Sequence, residues 1–427
     1  MEPHYAKRGA VDQPLSIGVV GAGTAGAAAA TLLATAGHRV TVLERVADPR
    51  PIGAGITLQP TGQVALARIG ALDEVHARGA RIDRLLCVRR GNRPLVALPY
   101  ADIDPRLYGL GIHRGVLFET LFAAARAAGA AIECGVAVVR SELTARGRAL
   151  VDDRGTRHGP FDLVIAADGS VSELHGEAPR VKSTAYPWGA LWLVVDDTKF
   201  TAERTLHQVV DGPSKMLGFL PTGQPPGKDT YALSMFYSLR ADRVDAWRAA
   251  GLAAWRDEVL RVDERAEPIL DTLSDLEPVL FTRYRDVAMW PWHADRIVFI
   301  GDAAHATSPQ LGQGANLALL DAVALADAIA AEPTVPRALA AYSSARRRHL
   351  AFYQFATRAL TPLFQGDSRV LGWLRDLTFP SSRWLGFLRR RMVRAMVGID
   401  RGILRGPMPI ADVLSPHALL AAPAITA

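Results

Sequence analysis

Apolar residues come in short unbroken runs toward both ends of the chain and in aromatic-rich runs between them. Ser16 to Val20 reads as a buried strand. Ala27 to Ala36 reads as a helix stopped by Gly37, and Arg39 to Leu43 as a second strand, ending in Glu44. A helix is expected from about Thr61 to Ile69, a hairpin from Leu85–Val88 and Leu95–Leu98 around Gly91-Asn92, and a helix from Leu117 to Ala128. Strands follow at Ala131–Val139, Ala149–Val151 and Phe161–Ala167, the last ending in Asp168-Gly169.

From Trp188 to Tyr284 the texture changes. Strands rich in Trp, Phe, Tyr and Val fall at Ala190–Val195, Leu206–Val210, Met216–Leu220, Tyr231–Ser238 and Val279–Tyr284, with a helix at about Asp245–Val262. This reads as a separate antiparallel sheet, placed to roof a pocket. Ile297 to Ile300 restores the buried-strand pattern, and Leu317 to Ala331 is a long helix. Val335 to Arg405 reads as mostly helical, broken by Pro362, Gly366 and Pro380, while Met1 to Pro14 is a patternless tail.

Composition narrows the class. The chain has 427 residues, enough for a large core and two packed domains, with 49% hydrophobic and 22% charged residues. The net charge of +6 comes without a basic run interleaved with aromatics, which argues against nucleic acid. Cys87 and Cys134 are the only cysteines and no CxxC is present, which argues against a thiolate metal site or a disulfide scaffold and fits a reducing cytoplasm. Gln13 to Gly37 lacks charge, but its glycines and alanines are too weakly apolar for a bilayer span.

The chemistry concentrates in two stretches. Gly21-Ala-Gly23-Thr-Ala25-Gly26 lies between the first strand and its helix. In such a loop the first glycine turns the chain, the second lets the backbone approach a pyrophosphate, and the third lets helix and strand pack closely. Glu44, 23 positions after Gly21, is placed to accept the hydrogen bonds of a ribose diol. The second stretch, Gly301-Asp302 through Pro309, Gly312, Gly314, Ala315 and Asn316, follows a strand with a carboxylate and then a glycine-rich loop opening a helix. A helix start with free N–H groups holds an anion or an electron-rich ring edge. His305 reads as structural, and Asp321 and Asp327 as solvent-facing or capping.

Together with His113-Arg114-x-x-Leu117 and Asp168-Gly169, these motifs resemble the class A, p-hydroxybenzoate hydroxylase-like, FAD-dependent monooxygenases, over about Leu15 to Tyr342. The resemblance implies an α/β fold: a Rossmann-like FAD-binding domain (15–84, 113–185 and 285–345), an inserted, mainly antiparallel β-sheet substrate domain (85–112 and 186–284), and a helical C-terminal region (346–427). It implies FAD along Gly21, Gly23, Ala25, Gly26, Glu44, Arg45, Gly55, Arg114, Val138, Asp168, Asp302, Pro309 and Gly312 to Asn316. It implies reduction by NADPH or NADH, a flavin C4a-hydroperoxide formed with O2, and oxygen transfer to a small electron-rich substrate, aromatic or polyketide-like. The resemblance includes no metal.

Substrate-pocket candidates on the second sheet are Trp192, Gln208, Met216, Phe219, Phe236 and Tyr237; no catalytic base stands out. His175 replaces an arginine that the family usually carries three positions after Asp168-Gly169-Ser-Val-Ser172, which weakens the expectation of nicotinamide binding. Two alternatives therefore stand beside the monooxygenase: an FAD oxidoreductase without oxygen insertion, and a non-catalytic flavin-binding regulator. The basic amphipathic segment Phe387 to Ile399 is expected to dock on the body or on a second copy, with contact to a membrane surface as the lesser reading. The expected state is a monomer or homodimer.

Overall fold

Ser16–Val20 has parallel neighbours on both sides, Arg39–Glu44 and Leu163–Ala166, and every one of its residues but the first is buried. The computed structural model describes residues 13–51, 53–197, 200–402 and 406–414, so the tail expected over 1–14 lies almost wholly outside them. Among the described residues the strands form four sheets. The first orders His293–Ala294, Ile297–Phe299, Leu163–Ala166, Ser16–Val20, Arg39–Glu44 and Ala131–Cys134, with only the His293 edge antiparallel. The unbroken apolar runs follow from this placement, because helices such as Thr24–Thr35 and Gly314–Ala331 share its core.

The expected strand Ala131–Val139 is two strands. Gly135 turns the chain with φ +77°, so Ala131–Cys134 closes the parallel sheet and Val138–Thr144 enters a three-stranded antiparallel one with Gly147–Asp152 and Arg157–Phe161. A small third sheet pairs Gly55–Leu58 and Ala80–Ile82 with Gly109–His113.

The aromatic-rich region forms a seven-stranded sheet in the order Leu280–Met289, Val181–Asp196, Ala232–Arg240, Lys215–Gly223, Thr205–Asp211, Arg84–Arg89 and Arg93–Pro99. Its outer face is covered by helix Val244–Leu260 through Trp247, Trp255 and Val259. A groove of about 1260 Å³ opens on that outer side, lined by Val88, Asn92, Leu260 and Arg265 among others, and holds none of the candidate site residues.

Helix Val335–Phe364 runs through Pro362, which falls in its last turn, so the missing N–H and the ring disturb only the helix end. The basic segment forms helix Gly386–Val397 and docks on the inner side of the large sheet. Val393, Val397 and Ile399 are fully buried there beside Leu95, Leu98, Leu220 and Phe236. Burial of each such side chain is worth about 1.5–3 kcal/mol, against ~0–1 kcal/mol for a partly exposed ion pair such as Arg389–Asp102. Apolar contact therefore sets the docking. Gly314–Ala331 is long and apolar enough by composition to cross a bilayer; half of it is buried inside the protein, against Thr24–Thr35 among other elements.

Candidate active site

Four strands of the parallel sheet end on the same side and deliver Gly21, Glu44, Asp168 and Asp302 there, the edge at which open α/β sheets bind ligands. Gly21 has φ +94°, and a Cβ on it would lie 2.7 Å from the Ala167 carbonyl. Gly26 is tighter: a Cβ would meet the Gly21 carbonyl at 2.0 Å. Gly23, the residue before the helix, differs in kind, because its missing side chain faces open space. Loop and helix are closed where they pack on the protein and open where a phosphate would approach.

Glu44 accepts hydrogen bonds from the backbone N–H groups of Ala22 (2.8 Å) and Val46 (3.0 Å), which locks its carboxylate beside the loop. Val136 N–H donates to the Glu44 carbonyl at 2.9 Å and so brings the start of Val138–Thr144 alongside, while Arg45 is exposed. Arg114 begins helix Arg114–Ala127 and lies over Gly53, where a Cβ would touch its side chain at 3.3 Å. Gly55 does not line open space: it donates to Ser234 Oγ at 2.7 Å and is packed under Thr222.

Asp168 Oδ2 accepts from Glu173 N–H at 3.2 Å, but Oδ1 is buried and has no hydrogen-bond partner among the described residues. Burial pushes this carboxyl up, against the Ser172 hydroxyl and the Glu173 N–H. An orphaned acceptor beside the glycine loop suits a ligand hydroxyl. His175 points inward and donates from Nε2 to the Ala303 carbonyl at 2.8 Å, holding the turn just past Asp302.

The second loop is a cradle. Pro309–Leu311 makes a single tight turn, Gly312 reverses the chain at φ +61°, and Gly314, Ala315 and Asn316 open the long helix with free N–H groups. Added Cβ atoms on Gly312 and Gly314 would find nothing closer than 3.9 and 4.0 Å. Asn316 is fully buried and staples this start: its Oδ1 accepts from Gln59 N–H at 2.8 Å, and its Nδ2 donates to the Thr57 and Gly312 carbonyls. Behind the turn, Asp321 is wholly buried and accepts from Gly301 N–H (2.9 Å), His305 Nε2 (2.5 Å) and Arg346 Nε (2.7 Å). Of the two roles expected of Asp321, solvent-facing or capping, the first is wrong and its bond to Gly301 N–H is of the second kind, while Asp327 does pair on the surface with Arg68. His305 is structural, as expected.

Between the loop and the large sheet runs a polar chain. Gln310 donates to Gln365 Oε1 at 3.0 Å, and Gln365 donates to Ser238 Oγ at 3.0 Å. The strand Val181–Asp196 bulges between Ala185 and Gly189, and Tyr186 in the bulge donates to Asp286 Oδ1 at 3.5 Å. On the same side Trp192 lies 5.0 Å from Phe236, ring to ring, and donates to Tyr284 Oη at 3.3 Å. Burial pushes the Tyr284 phenol up to about 12, so it keeps its proton.

The pleat divides the pocket candidates. Met216 and Phe236 belong to the inner apolar cluster with Trp192 packed on it, and Gln208 shares that face with Val210. Phe219 and Tyr237 sit at odd register to these and belong to the outer cluster under Trp247 and Trp255, where Tyr237 donates to Glu258 at 3.0 Å. Tyr284 and Gln365 carry no motif in the sequence, and only the aromatic ending of the last strand hints at Tyr284; Gln310 lies within the glycine-rich loop motif but is not singled out there.

A family model described as an FAD binding domain matches residues 15–354. The chain belongs to this family, the class A FAD-dependent monooxygenases. It is 32% identical over 352 residues to 3-amino-4-hydroxybenzoate 2-monooxygenase of Streptomyces cremeus, covering 79% of this chain and 84% of that protein. It is 29% identical over 397 residues to 2-heptyl-3-hydroxy-4(1H)-quinolone synthase of Pseudomonas aeruginosa, covering 91% and 96%. An HpxO variant of Klebsiella pneumoniae solved with FAD shares the fold at a TM-score of 0.76 and 21% identity, over 90% of this chain and 99% of that one. The monooxygenase assignment holds over an oxidoreductase without oxygen insertion and over a non-catalytic flavin binder. FAD is the cofactor and NAD(P)H the reductant.

Proposed function

We propose that this monooxygenase hydroxylates a small aromatic substrate held between the Pro309–Asn316 loop and the inner face of the seven-stranded sheet. The observation that carries this reading is the juxtaposition of the loop's open N–H groups with Trp192, Phe236 and Tyr284, joined through Gln310, Gln365 and Ser238. In this reading residues 85–112 and 186–284 form the substrate domain. Relatives named for an aminohydroxybenzoate and a quinolone support an electron-rich aromatic class.

FAD supplies hydride acceptance from NAD(P)H and activation of O2 when bound. Glu44 would take the adenosine ribose, with the Val138 backbone near the adenine. Asp168, Asp302 and Arg114 would take the central part, and the Gly312–Asn316 backbone the ring. N–H groups at a helix start stabilise negative charge that develops against them, and being fixed by Asn316 they need no rearrangement to do so. Trp192 and Phe236 would stack the substrate ring, and the Tyr284 O–H, with its oxygen already accepting from Trp192, would orient a substrate oxygen. Met216 and the docked Met396 and Val397 close the inner cluster against water, which protects a reactive oxidant from wasteful decay.

The free Cys87 and Cys134 fit a cytoplasmic setting. The test is NAD(P)H oxidation by the FAD-loaded protein over a panel of aminophenols, hydroxybenzoates and quinolones. Substrate-stimulated oxidation with a hydroxylated product supports the reading; oxidation indifferent to every aromatic overturns it.

A further inference from the structure

The Gly386–Val397 helix turns its apolar face to the body, but the segment before it is built the other way round. In helix Arg369–Thr378, residues Val370, Trp373, Leu374 and Leu377 recur at one-face helical spacing, the pattern of a buried stripe. Here that stripe points outward, with exposures of 70, 64, 42 and 60%. The inward side carries Gly372, where a Cβ would press on Pro213 at 3.0 Å, and a fully buried Arg375 that donates to the Leu363 and Gly212 carbonyls. These contacts fix the helix in this orientation. Just beyond it in the chain, Trp384, Leu385 and Phe387 are exposed as well, at 86, 42 and 75%. Seven of the 16 exposed large hydrophobic side chains among the described residues thus fall between Val370 and Phe387. Such clustering marks an interaction surface rather than scattered exposure.

Charge says what kind of partner fits. Arg369, Arg383 and Arg390 are exposed in the same segment and its continuation, and none has an ion pair among the described residues. The acidic residues of the region are already paired: Asp367 with Arg240, Asp376 with Arg375 and Asp400 with Arg391. A second copy docked across a two-fold axis would set these arginines against their own kind. An anionic bilayer satisfies both features, taking the tryptophans at headgroup depth and the guanidinium groups at lipid phosphates. We propose that the surface formed by Val370, Trp373, Leu374, Leu377, Trp384 and Phe387 with the free arginines seats this enzyme peripherally on an anionic phospholipid bilayer. The surface is separate from the candidate active site, so the proposal stands or falls without it.

The test is co-sedimentation of the full-length, FAD-loaded protein with vesicles of phosphatidylcholine plus phosphatidylglycerol, and of phosphatidylcholine alone. The wild type binds the anionic vesicles, binds the neutral ones more weakly, and is released by salt. Trp373→Ser with Trp384→Ser lowers the partition coefficient by about tenfold or more, the scale of withdrawing two rings from the interface, with flavin content and circular dichroism unchanged. Arg383→Gln with Arg390→Gln abolishes the preference for anionic vesicles. Failure to bind either vesicle overturns the proposal. So does undiminished binding by the tryptophan variant. A concentration-dependent dimer in sedimentation velocity that the tryptophan variant loses, without vesicle binding, would assign the surface to a second copy instead.

Discussion

Asp321 and Gly301 are twenty residues apart and joined by one hydrogen bond of 2.9 Å from backbone N–H to carboxylate. Through it, the turn that carries Asp302 is anchored to the buried His305 ring and the Arg346 guanidinium, and through His349 to the Gly398 carbonyl of the docked C-terminal segment. The flavin-side turn and the C-terminal helix thus share one buried ionic centre.

Asp321→Asn keeps the shape but leaves Arg346 buried without its counter-charge, a loss of about 3–5 kcal/mol. The variant should melt well below the wild type and lose FAD on gel filtration. A melt and a flavin spectrum settle it; if both stay unchanged, Asp321 does not anchor the turn.

Acid should act on the same centre. Burial and the neighbouring Arg346 hold His349 down at about 3, against 6.5 unperturbed, so it is neutral in the fold. A histidine depressed in this way favours the folded state above its unfolded value, and that contribution is lost as pH falls from about 6.5 toward 3. Burial opposes ionisation of Asp321, but His305, Arg346 and the Gly301 N–H outweigh it and hold the carboxyl at about 2, so its contribution goes in the lower window between 3.8 and about 2. Melting temperature against pH should fall through the upper window in the wild type and less steeply in His349→Gln. Parallel curves would contradict the assignment.

The two glycines of the nucleotide loop should part company. Gly26→Ala drives a Cβ into the Gly21 carbonyl and should destabilise the apoprotein by about 1–3 kcal/mol or prevent folding. Gly23→Ala meets only open space, so the apoprotein should melt within about 0.5 kcal/mol of wild type while FAD affinity drops. Equal effects on the apoprotein would count against the open phosphate approach.

Tyr284→Phe and Tyr237→Phe separate the two faces of the sheet. The first should raise substrate KM roughly tenfold, the loss of one directed hydrogen bond, and lower stability by about 1 kcal/mol because Trp192 loses its acceptor. The second loses the bond to Glu258 and about 1 kcal/mol of stability, with KM unchanged. The reverse pattern would move the pocket to the outer face.

Local spacing decides what is legible in the sequence. Gly21, Gly23, Gly26 and Glu44 fall within one strand–helix–strand unit, and Pro309 to Asn316 within one loop, so each announces its geometry without distant partners. The two-residue period of a strand also parts Phe219 from Met216 and Tyr237 from Phe236, a division that aromatic content alone hides. Asp321 is not legible, because an aspartate in a helix of alanines and leucines looks solvated until Arg346 and His305 arrive from elsewhere in the chain. The apolar stripe of Arg369–Thr378 reads as core by its period, and only the packing of Gly372 and Arg375 turns it outward.

Oxygen insertion into an aromatic ring is decided by isotope-labelled O2, supplied with NAD(P)H to the FAD-loaded protein over the aromatic panel. One labelled oxygen atom should appear in the aromatic product and the other in water. Flavin reduction followed only by hydrogen peroxide, with no label in any product across the panel, would contradict a hydroxylase built on this site.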